Sequence, residues 1–316
     1  MSICNRYTFC SQASEGLGNR FSDYFMARIM ARLAGAAFAV SNRCEFTYFG
    51  SFLPFKVPAP GDRDPNDYWP APPMRVGARL LRLMTRSHIS ETRQALHGSP
   101  HSPYLFKWFG QAIHWDINYA LRKYWQVEQM KRQNFPPKST ENDVVVHVRC
   151  GDILTGKYGQ FGYSFPCHHF YRRAITLGLG DDPTKRDVWF LVNTNRRQDA
   201  VYAHHCQDLS SQIVNFMQQY LGPRMGKSHI IVNGTVSEDM ARISQAKLFI
   251  GSISSFALWG ALANGRNVAL PMSKFFFRGN HMPIHGIAWI DMGGVLMPRF
   301  NETANHVVLD KVGECS

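Results

Sequence analysis

The second half of the chain alternates between short apolar runs and stretches with apolar residues at helical spacing. The runs predict strands at 144–149, 187–192, 229–232, 247–250 and 267–270, and the intervening spacing predicts helices at 168–178, 198–221, 237–245 and 255–264. This alternation is typical of βαβ units, in which helices cover both faces of a parallel sheet. We therefore predict an α/β fold whose ligands lie at the carboxyl ends of the strands.

The first half has a less regular pattern. Apolar residues recur at helical spacing between residues 21 and 33, a short strand is predicted at 36–40, and further helices are predicted at 78–97 and 111–132. The segment 46–73 is rich in proline and aromatic residues and predicts an irregular connection. With 316 residues the chain is long enough for two domains. We predict an N-terminal lobe of residues 1–140 and a C-terminal lobe of residues 141–316.

The composition, with 45% hydrophobic and 18% charged residues, is that of a folded globular protein. The net charge of +12 favours anionic partners. Basic residues are nevertheless scattered along the chain, which is typical of a solvated basic surface, so no nucleic-acid partner is expected. A nucleic-acid-binding protein stays the alternative from another class, because aromatic and basic residues are interleaved at 104–108 and 122–125.

Seven cysteines without a CxxC pair leave the redox compartment open. The chain shows no secretory leader and no apolar run of the about 20 residues that a membrane span requires. We therefore expect a soluble, cytoplasmic protein without a transmembrane segment, or a protein of the Golgi lumen if an N-terminal anchor has been lost.

The stretch VVVHVRCGD, residues 144–152, places His147 and Arg149 on the same face of a predicted strand and Asp152 just past its end. An arginine guanidinium offers a planar fork of N–H donors that suits a diphosphate. The alternative is an edge strand with one solvated face. It is disfavoured because valines occupy one face completely and Val145 lies on the other.

The stretch FIGSISSFALWGALA, residues 249–263, predicts a strand, a serine-rich turn and a helix from about Ser255. Free backbone N–H groups at the helix start, together with the hydroxyls of Ser252, Ser254 and Ser255, form a candidate phosphate site. Ordinary N-capping would require only one of these hydroxyls.

Near the start of the chain, SEGLGNR places Glu15, Gly16, Gly18 and Asn19 before a predicted helix. A dinucleotide-binding fingerprint would require a preceding strand and a third glycine at position 21. We predict no strand there, and position 21 is Phe21.

Asp239, in the stretch SED before a predicted helix, is interpreted as a helix cap.

The clusters Cys167-His168-His169 and His204-His205-Cys206 are candidates for metal binding. Adjacent side chains on a helix point in different directions, so we expect no metal site there. GxxxxGK[ST], HExxH and GxSxG are absent from the sequence, which disfavours phosphate-loop enzymes, zincins and α/β-hydrolases.

Taken in order, EGLGNRF, HVRCGD and SISSF resemble the GDP-fucose-dependent fucosyltransferases, the group of α1,2-, α1,6- and protein O-fucosyltransferases. The resemblance leaves residues 46–140 unmatched. It implies a GT-B-like architecture of two Rossmann-type lobes and an inverting enzyme that works without a metal ion. The implied partners are a nucleotide sugar, GDP-fucose, as donor and a glycan or glycoprotein hydroxyl as acceptor, with no further cofactor.

The resemblance also implies roles for individual residues. His147 and Arg149 would contact the donor, with Arg149 on the β-phosphate. The remaining donor-binding residues would be Gly16, Gly18, Asn19, Ser254, Ser255 and Phe256. The α1,2 members usually carry a second arginine where this chain has Cys150.

The catalytic base is expected to be Glu15, with Asp152 as the second candidate. Two alternatives to a fucosyltransferase stay open. The first is a glycosyltransferase of the same fold with another nucleotide sugar, and the second is a basic, non-catalytic protein that binds glycan or nucleic acid.

Overall fold

A computed structural model describes residues 6–9, 18, 21, 24, 37–40, 116–122, 140–154, 164–193, 203–264, 266–273, 287–292, 294–301 and 306–313. The chain divides into two compact units. The first comprises Met1–Pro136 and Gly279–His285, and the second comprises Pro137–Arg278 and Gly286–Ser316. None of the helices within the described residues combines the length and apolar composition needed to cross a membrane.

The first unit contains a parallel pair of strands, β1 (Arg6–Phe9) and β2 (Ala37–Val40). Gly18, Phe21 and Tyr24 between them are helical and buried, so the chain runs from strand to helix to parallel strand. The sequence predicted no strand before the glycine loop, and this prediction is wrong because β1 precedes it. The four residues RYTF are too few and too mixed in polarity to show a strand pattern on their own.

The second unit is built on a six-stranded parallel sheet. Its strands, in chain order, are β3 (Val144–Arg149), β5 (Arg186–Asn193), β6 (Met225–Val232), β7 (Leu248–Ile250), β8 (Asn267–Pro271) and β9 (Ile287–Ile290). Their order across the sheet is β6-β5-β3-β7-β8-β9. β3 is thus a central strand, and the edge-strand alternative is wrong.

Helices connect these strands. They are α1 (Gly151–Leu154), α2 (His168–Leu179), α3 (Ala203–Leu221), α4 (Val236–Gln245) and α5 (Ser255–Asn264), with a 3₁₀ turn at Gly222–Arg224. The predicted α/β class with parallel strands is confirmed. The predicted strand at 144–149 and helix at 255–264 have the bounds expected from the sequence.

Apolar side chains leave the sheet on both faces and form two core layers. On one face, the valines at 144, 146 and 148 pack with Ile175 of α2 and Ile213 of α3. On the other face, Val145 packs with Ile243 of α4 and Ala257 of α5. This alternation along β3 is the one that its sequence predicts, because successive side chains of a strand point to opposite faces.

The order in which the chain adds strands to the sheet reverses between β3 and β7. From β3 the chain adds β5 and β6 on one side, with α2 and α3 on one face, and then returns to add β7 and β8 on the other side, with α4 and α5 on the opposite face. The connections that leave the carboxyl ends of β3 and β7 therefore diverge. In open α/β sheets such a switch point forms the crevice that binds ligands.

A second, antiparallel sheet was not predicted. It consists of β4 (Phe165–Pro166), β10 (Gly294–Asn301) and β11 (His306–Gly313) in the order β11-β10-β4. The register of the hairpin runs from Gly294 opposite Gly313 to Asn301 opposite His306. Pro298 within β10 weakens the strand signal in the sequence.

Candidate functional site

The candidate site lies at the switch point, where β3 and β7 end side by side. The two strands pair in parallel from Val144 opposite Leu248 to Val146 opposite Ile250. His147 and Arg149 follow on β3, and the turn Gly251–Ser254 follows on β7. The central motif and the serine motif, which are about a hundred residues apart in sequence, therefore meet at one edge of the sheet.

His147 is buried, with 4% of its surface exposed. Its Nδ1 lies 2.8 Å from Oγ of Ser252, and its ring centroid lies 5.5 Å from that of Phe256 at an interplanar angle of 44°. Burial, followed by the positive charge of Arg149, lowers the pKa of His147 from 6.5 to about 3. The imidazole is consequently neutral at physiological pH and can serve as both donor and acceptor.

Arg149 is the last residue of β3 and is partly exposed. It lies opposite Asn193 of β5 in the parallel register. Its backbone N–H donates to Oγ of Ser252 at 3.3 Å. A rigid central strand thus fixes the Cα position from which this guanidinium extends, which reduces the entropy lost when it binds an anion.

The turn after β7 packs closely against its neighbours. A Cβ on Gly251 would overlap Cδ2 of Leu270 and lie 3.2 Å from Cβ of Ala257, so a larger residue would require the Leu270 side chain to move. Ser254 precedes α5, and its Oγ accepts from the backbone N–H of Phe256 at 3.2 Å. Ser254 is therefore the N-cap of α5, as the alternative reading of the serine motif required, whereas Ser252 turns toward β3.

A disulfide bond anchors the chain directly after Arg149. Cys150 is bonded to Cys206 of α3, with a Cα–Cα distance of 5.7 Å. The backbone N–H of Cys150 also donates to the carbonyl of Asn193 at 3.1 Å. Where the α1,2-fucosyltransferases usually carry a second arginine, this chain thus carries a covalent link to the layer of α2 and α3.

The cysteines of the two candidate metal-binding clusters, Cys167 and Cys206, are disulfide-bonded and carry no free thiol. Cys206 is bonded to Cys150. His168 stacks on Phe216 at a centroid distance of 4.4 Å. Within the residues that the structure describes, no group of three or more His, Cys, Asp or Glu side chains is arranged to hold a metal ion.

Several predicted site residues are not placed by the structure. Glu15, Gly16 and Asn19 lie outside the described residues, and Gly18 is a buried helical residue of the first unit. Asp152 lies in α1, and its side chain is outside the description. The role of Glu15 or Asp152 as base stays a prediction.

The interpretation of Asp239 as a helix cap is wrong. The N-cap of α4 is Thr235, whose Oγ1 accepts from the backbone N–H of Glu238, and Asp239 lies within the first turn. Burial, opposed by Arg242, raises the pKa of Asp239 from 3.8 to about 7. The sequence shows only an acidic stretch before a helix, which is also what a cap looks like.

Ser252 is the site residue whose partner the sequence did not reveal. Its motif was recognised, but its hydrogen bonds reach His147 and Arg149 across about a hundred positions of sequence. The one feature of the sequence that points to this role is the number of serines. N-capping requires only one serine of the motif and gives Ser252 no local role.

No family model and no curated protein match the chain. Among solved structures, POFUT1 in complex with GDP matches at 12% identity and a TM-score of 0.28, covering 49% of this chain and 47%, about half, of that chain. POFUT1 in complex with GDP-fucose matches at 11% identity and a TM-score of 0.40, covering 83% and 94% of the two chains. Apo POFUT1 matches at 10% identity and a TM-score of 0.42, covering 85% and 98%. At these scores nothing about this chain's activity follows from the likeness.

Proposed function

We propose that this protein is an inverting glycosyltransferase that moves L-fucose from GDP-fucose to a hydroxyl of a glycan or glycoprotein. The observation that carries the proposal is the meeting of His147 and Arg149 with the turn before α5 at the switch point of the parallel sheet. Switch points of this kind bind nucleotides and other phosphate-containing ligands.

The chemistry of the residues favours a diphosphate ligand. The N-terminus of α5 presents backbone N–H groups and a positive dipole end, which favour anionic oxygens. Arg149 adds a permanent positive charge, and neutral His147 adds an uncharged polar group beside it. The backbone N–H groups of α5, the guanidinium of Arg149 and the imidazole of His147 could therefore each contact a nucleoside diphosphate at the ends of β3 and β7.

This arrangement also suits the transfer step. When the acceptor hydroxyl attacks the anomeric carbon, the bond to the diphosphate breaks and negative charge accumulates on the phosphate oxygens. Arg149 is the residue we assign to that charge. We assign the acceptor proton to Glu15 or, failing that, to Asp152, both as proposals, and we give no metal ion a role in the proposed step.

The identity of the donor rests on the resemblance of EGLGNRF, HVRCGD and SISSF to the fucosyltransferases. Phosphate-binding residues do not distinguish one base or sugar from another, so another nucleotide sugar stays the alternative. Nucleic acid is not a proposed partner.

The compartment is a separate proposal. The cytoplasmic location expected from the sequence stays a prediction. The Cys150–Cys206 disulfide favours its alternative, an oxidising compartment such as the Golgi lumen, because structural disulfides are rare in the cytosol.

The test is nucleotide release from a panel of GDP- and UDP-sugars with and without EDTA. Wild type is compared with Arg149→Ala and with a matched control, Arg173→Ala, which removes an exposed arginine from α2. We expect release of GDP from GDP-fucose that survives EDTA, falls about 100- to 1,000-fold in Arg149→Ala and is unchanged in Arg173→Ala.

Each departure from that pattern has a defined meaning. Release from a different donor would keep the phosphate site and change the substrate. Loss of release with EDTA would contradict the metal-independent mechanism. Full activity of Arg149→Ala, with the fold intact by circular dichroism, would reject the donor site.

A further inference from the structure

The hydroxyl of Ser252 joins the two strands of the candidate site. It is buried, with 6% of the residue exposed, and it contacts both the ring of His147 and the backbone N–H of Arg149. Ser254, two residues later, is already accounted for as the N-cap of α5. The hydroxyl of Ser252 therefore acts across the sheet, between β7 and β3.

The hydrogen-bonding capacity of these groups decides where the proton of His147 lies. A serine hydroxyl has one hydrogen and two lone pairs, and a neutral imidazole has one protonated and one unprotonated nitrogen. The Arg149 N–H takes one lone pair of Ser252. If Nδ1 of His147 carried the proton, it would take the second lone pair, and the buried hydroxyl hydrogen would lack a partner among the described residues.

The opposite assignment gives the buried hydroxyl hydrogen of Ser252 a partner. The Ser252 hydroxyl then donates to Nδ1 of His147 over 2.8 Å, and the imidazole proton lies on Nε2. Buried polar hydrogens are nearly always hydrogen-bonded in folded proteins, so the second assignment is favoured. Burial beside Arg149 keeps the ring neutral, since the pKa of His147 is lowered to about 3.

We propose that Ser252 is a positioning residue of the donor site, fixing His147 as the Nε2–H tautomer so that this N–H donates to an anionic oxygen of a nucleoside diphosphate. The ligand in this statement rests on the proposed function, whereas the tautomer rests on the contacts of Ser252 alone. The same hydroxyl, by accepting from the Arg149 backbone, fixes the end of β3 from which the guanidinium extends.

The tautomer is measured directly by two-bond ¹⁵N–¹H correlation spectra of the full chain labelled with ¹⁵N-histidine. His147→Asn identifies the signal among the 13 histidines. We expect wild type to show the Nε2–H pattern from about pH 5 to pH 8, over which an ordinary histidine would titrate. Ser252→Ala should give a mixture of tautomers, and Ser252→Thr, which keeps the hydroxyl, should restore the wild-type pattern.

Affinity for GDP provides the second measurement, by calorimetry on the same proteins. Loss of one buried hydrogen bond predicts about tenfold weaker binding for Ser252→Ala, with recovery in Ser252→Thr. The matched control is Ser244→Ala, which removes a buried hydroxyl that donates to the Ala241 carbonyl within α4. It should leave both the His147 tautomer and GDP affinity unchanged.

An Nδ1–H pattern in wild type would overturn the inference, as would a Ser252→Ala protein with an unchanged tautomer. A changed tautomer with unchanged GDP affinity would remove the donor-site role from Ser252. If wild type binds no GDP at all, the proposed function fails, and the spectra still decide whether Ser252 sets the proton of His147.

Discussion

The turn after β7 and the turn after β6 lie at the same carboxyl edge of the sheet, and each leads into a helix capped by a hydroxyl. Ser254 caps α5 and Thr235 caps α4. Each turn also adjoins an ionisable group with a displaced pKa, the buried His147 in the first case and the partly buried Asp239 in the second. The two regions differ in how the polar atoms around that group are satisfied.

In the β7 region the polar atoms are paired across strands, because Ser252 contacts both His147 and the backbone of Arg149. In the β6 region, Oδ1 of Asp239 and Nη1 of Arg242 form an ion pair at 3.5 Å, and neither buried atom has a hydrogen bond within the part of the chain that the structure describes. A satisfied polar cluster holds its groups in one geometry, whereas an unsatisfied one costs stability. The comparison therefore teaches that two groups with displaced pKa values can differ in the hydrogen bonds around them, which is why His147 and not Asp239 enters the proposed site.

The largest expected effect comes from releasing the end of β3. Replacing both cysteines, Cys150→Ala with Cys206→Ala, should lower the free energy of unfolding by about 4 kcal/mol, since the bond joins residues 56 positions apart. Urea unfolding monitored by circular dichroism measures the change. Either single variant should lose about as much as the double variant, and a loss below about 1 kcal/mol in the double variant would show that the disulfide does not anchor this region.

The next effect concerns the pH dependence of His147. Its pKa is about 3 in the folded state and 6.5 when unfolded, so the unfolded chain binds more protons between these values. Its contribution to stability is present above pH 6.5 and is lost as the pH falls toward 3, by an amount on the order of a few kcal/mol. Urea unfolding at a series of pH values should show this loss in wild type and a flatter dependence in His147→Asn. Parallel curves would contradict a buried neutral imidazole.

Asp239 should show the opposite slope and a smaller effect, because its side chain is 17% exposed. Its pKa is about 7 in the folded state against 3.8 when unfolded, so its contribution is present below pH 3.8 and is lost as the pH rises through about 7. Asp239→Asn should remove this loss and gain stability relative to wild type at pH 8. The same pH series measures it. An Asp239→Asn protein that is less stable than wild type above neutrality would indicate that the pairing with Arg242 outweighs the cost of burial.

The smallest effect separates the two caps. Thr235→Ala and Ser254→Ala should each lower the free energy of unfolding by about 1 kcal/mol, because each removes an acceptor for a helix N–H. Under the proposed function, only Ser254→Ala also weakens GDP binding. Thermal unfolding and calorimetry on both variants test this, and equal GDP affinities would assign Ser254 a capping role alone.

Much of the second unit could be predicted from the sequence because its elements carry strong periodic patterns. β3 and α5 have the predicted bounds, since a run of valines and a continuous apolar helix leave little choice. The short strand β1 and the hairpin of β10 and β11 were missed. Four residues give no period, and Pro298 contradicts a strand until pairing with neighbouring strands is known.

The sequence by itself determined the α/β class of the second unit, the shared face of His147 and Arg149, and the serine turn before α5, because all of these follow from local periodicity and turn chemistry. Only the tertiary structure decided that β3 is central, that Ser252 meets His147, and that Cys150 is bonded to Cys206. Strand order, burial and long-range pairing are set by how elements pack, and no local pattern encodes which distant residue will be the partner.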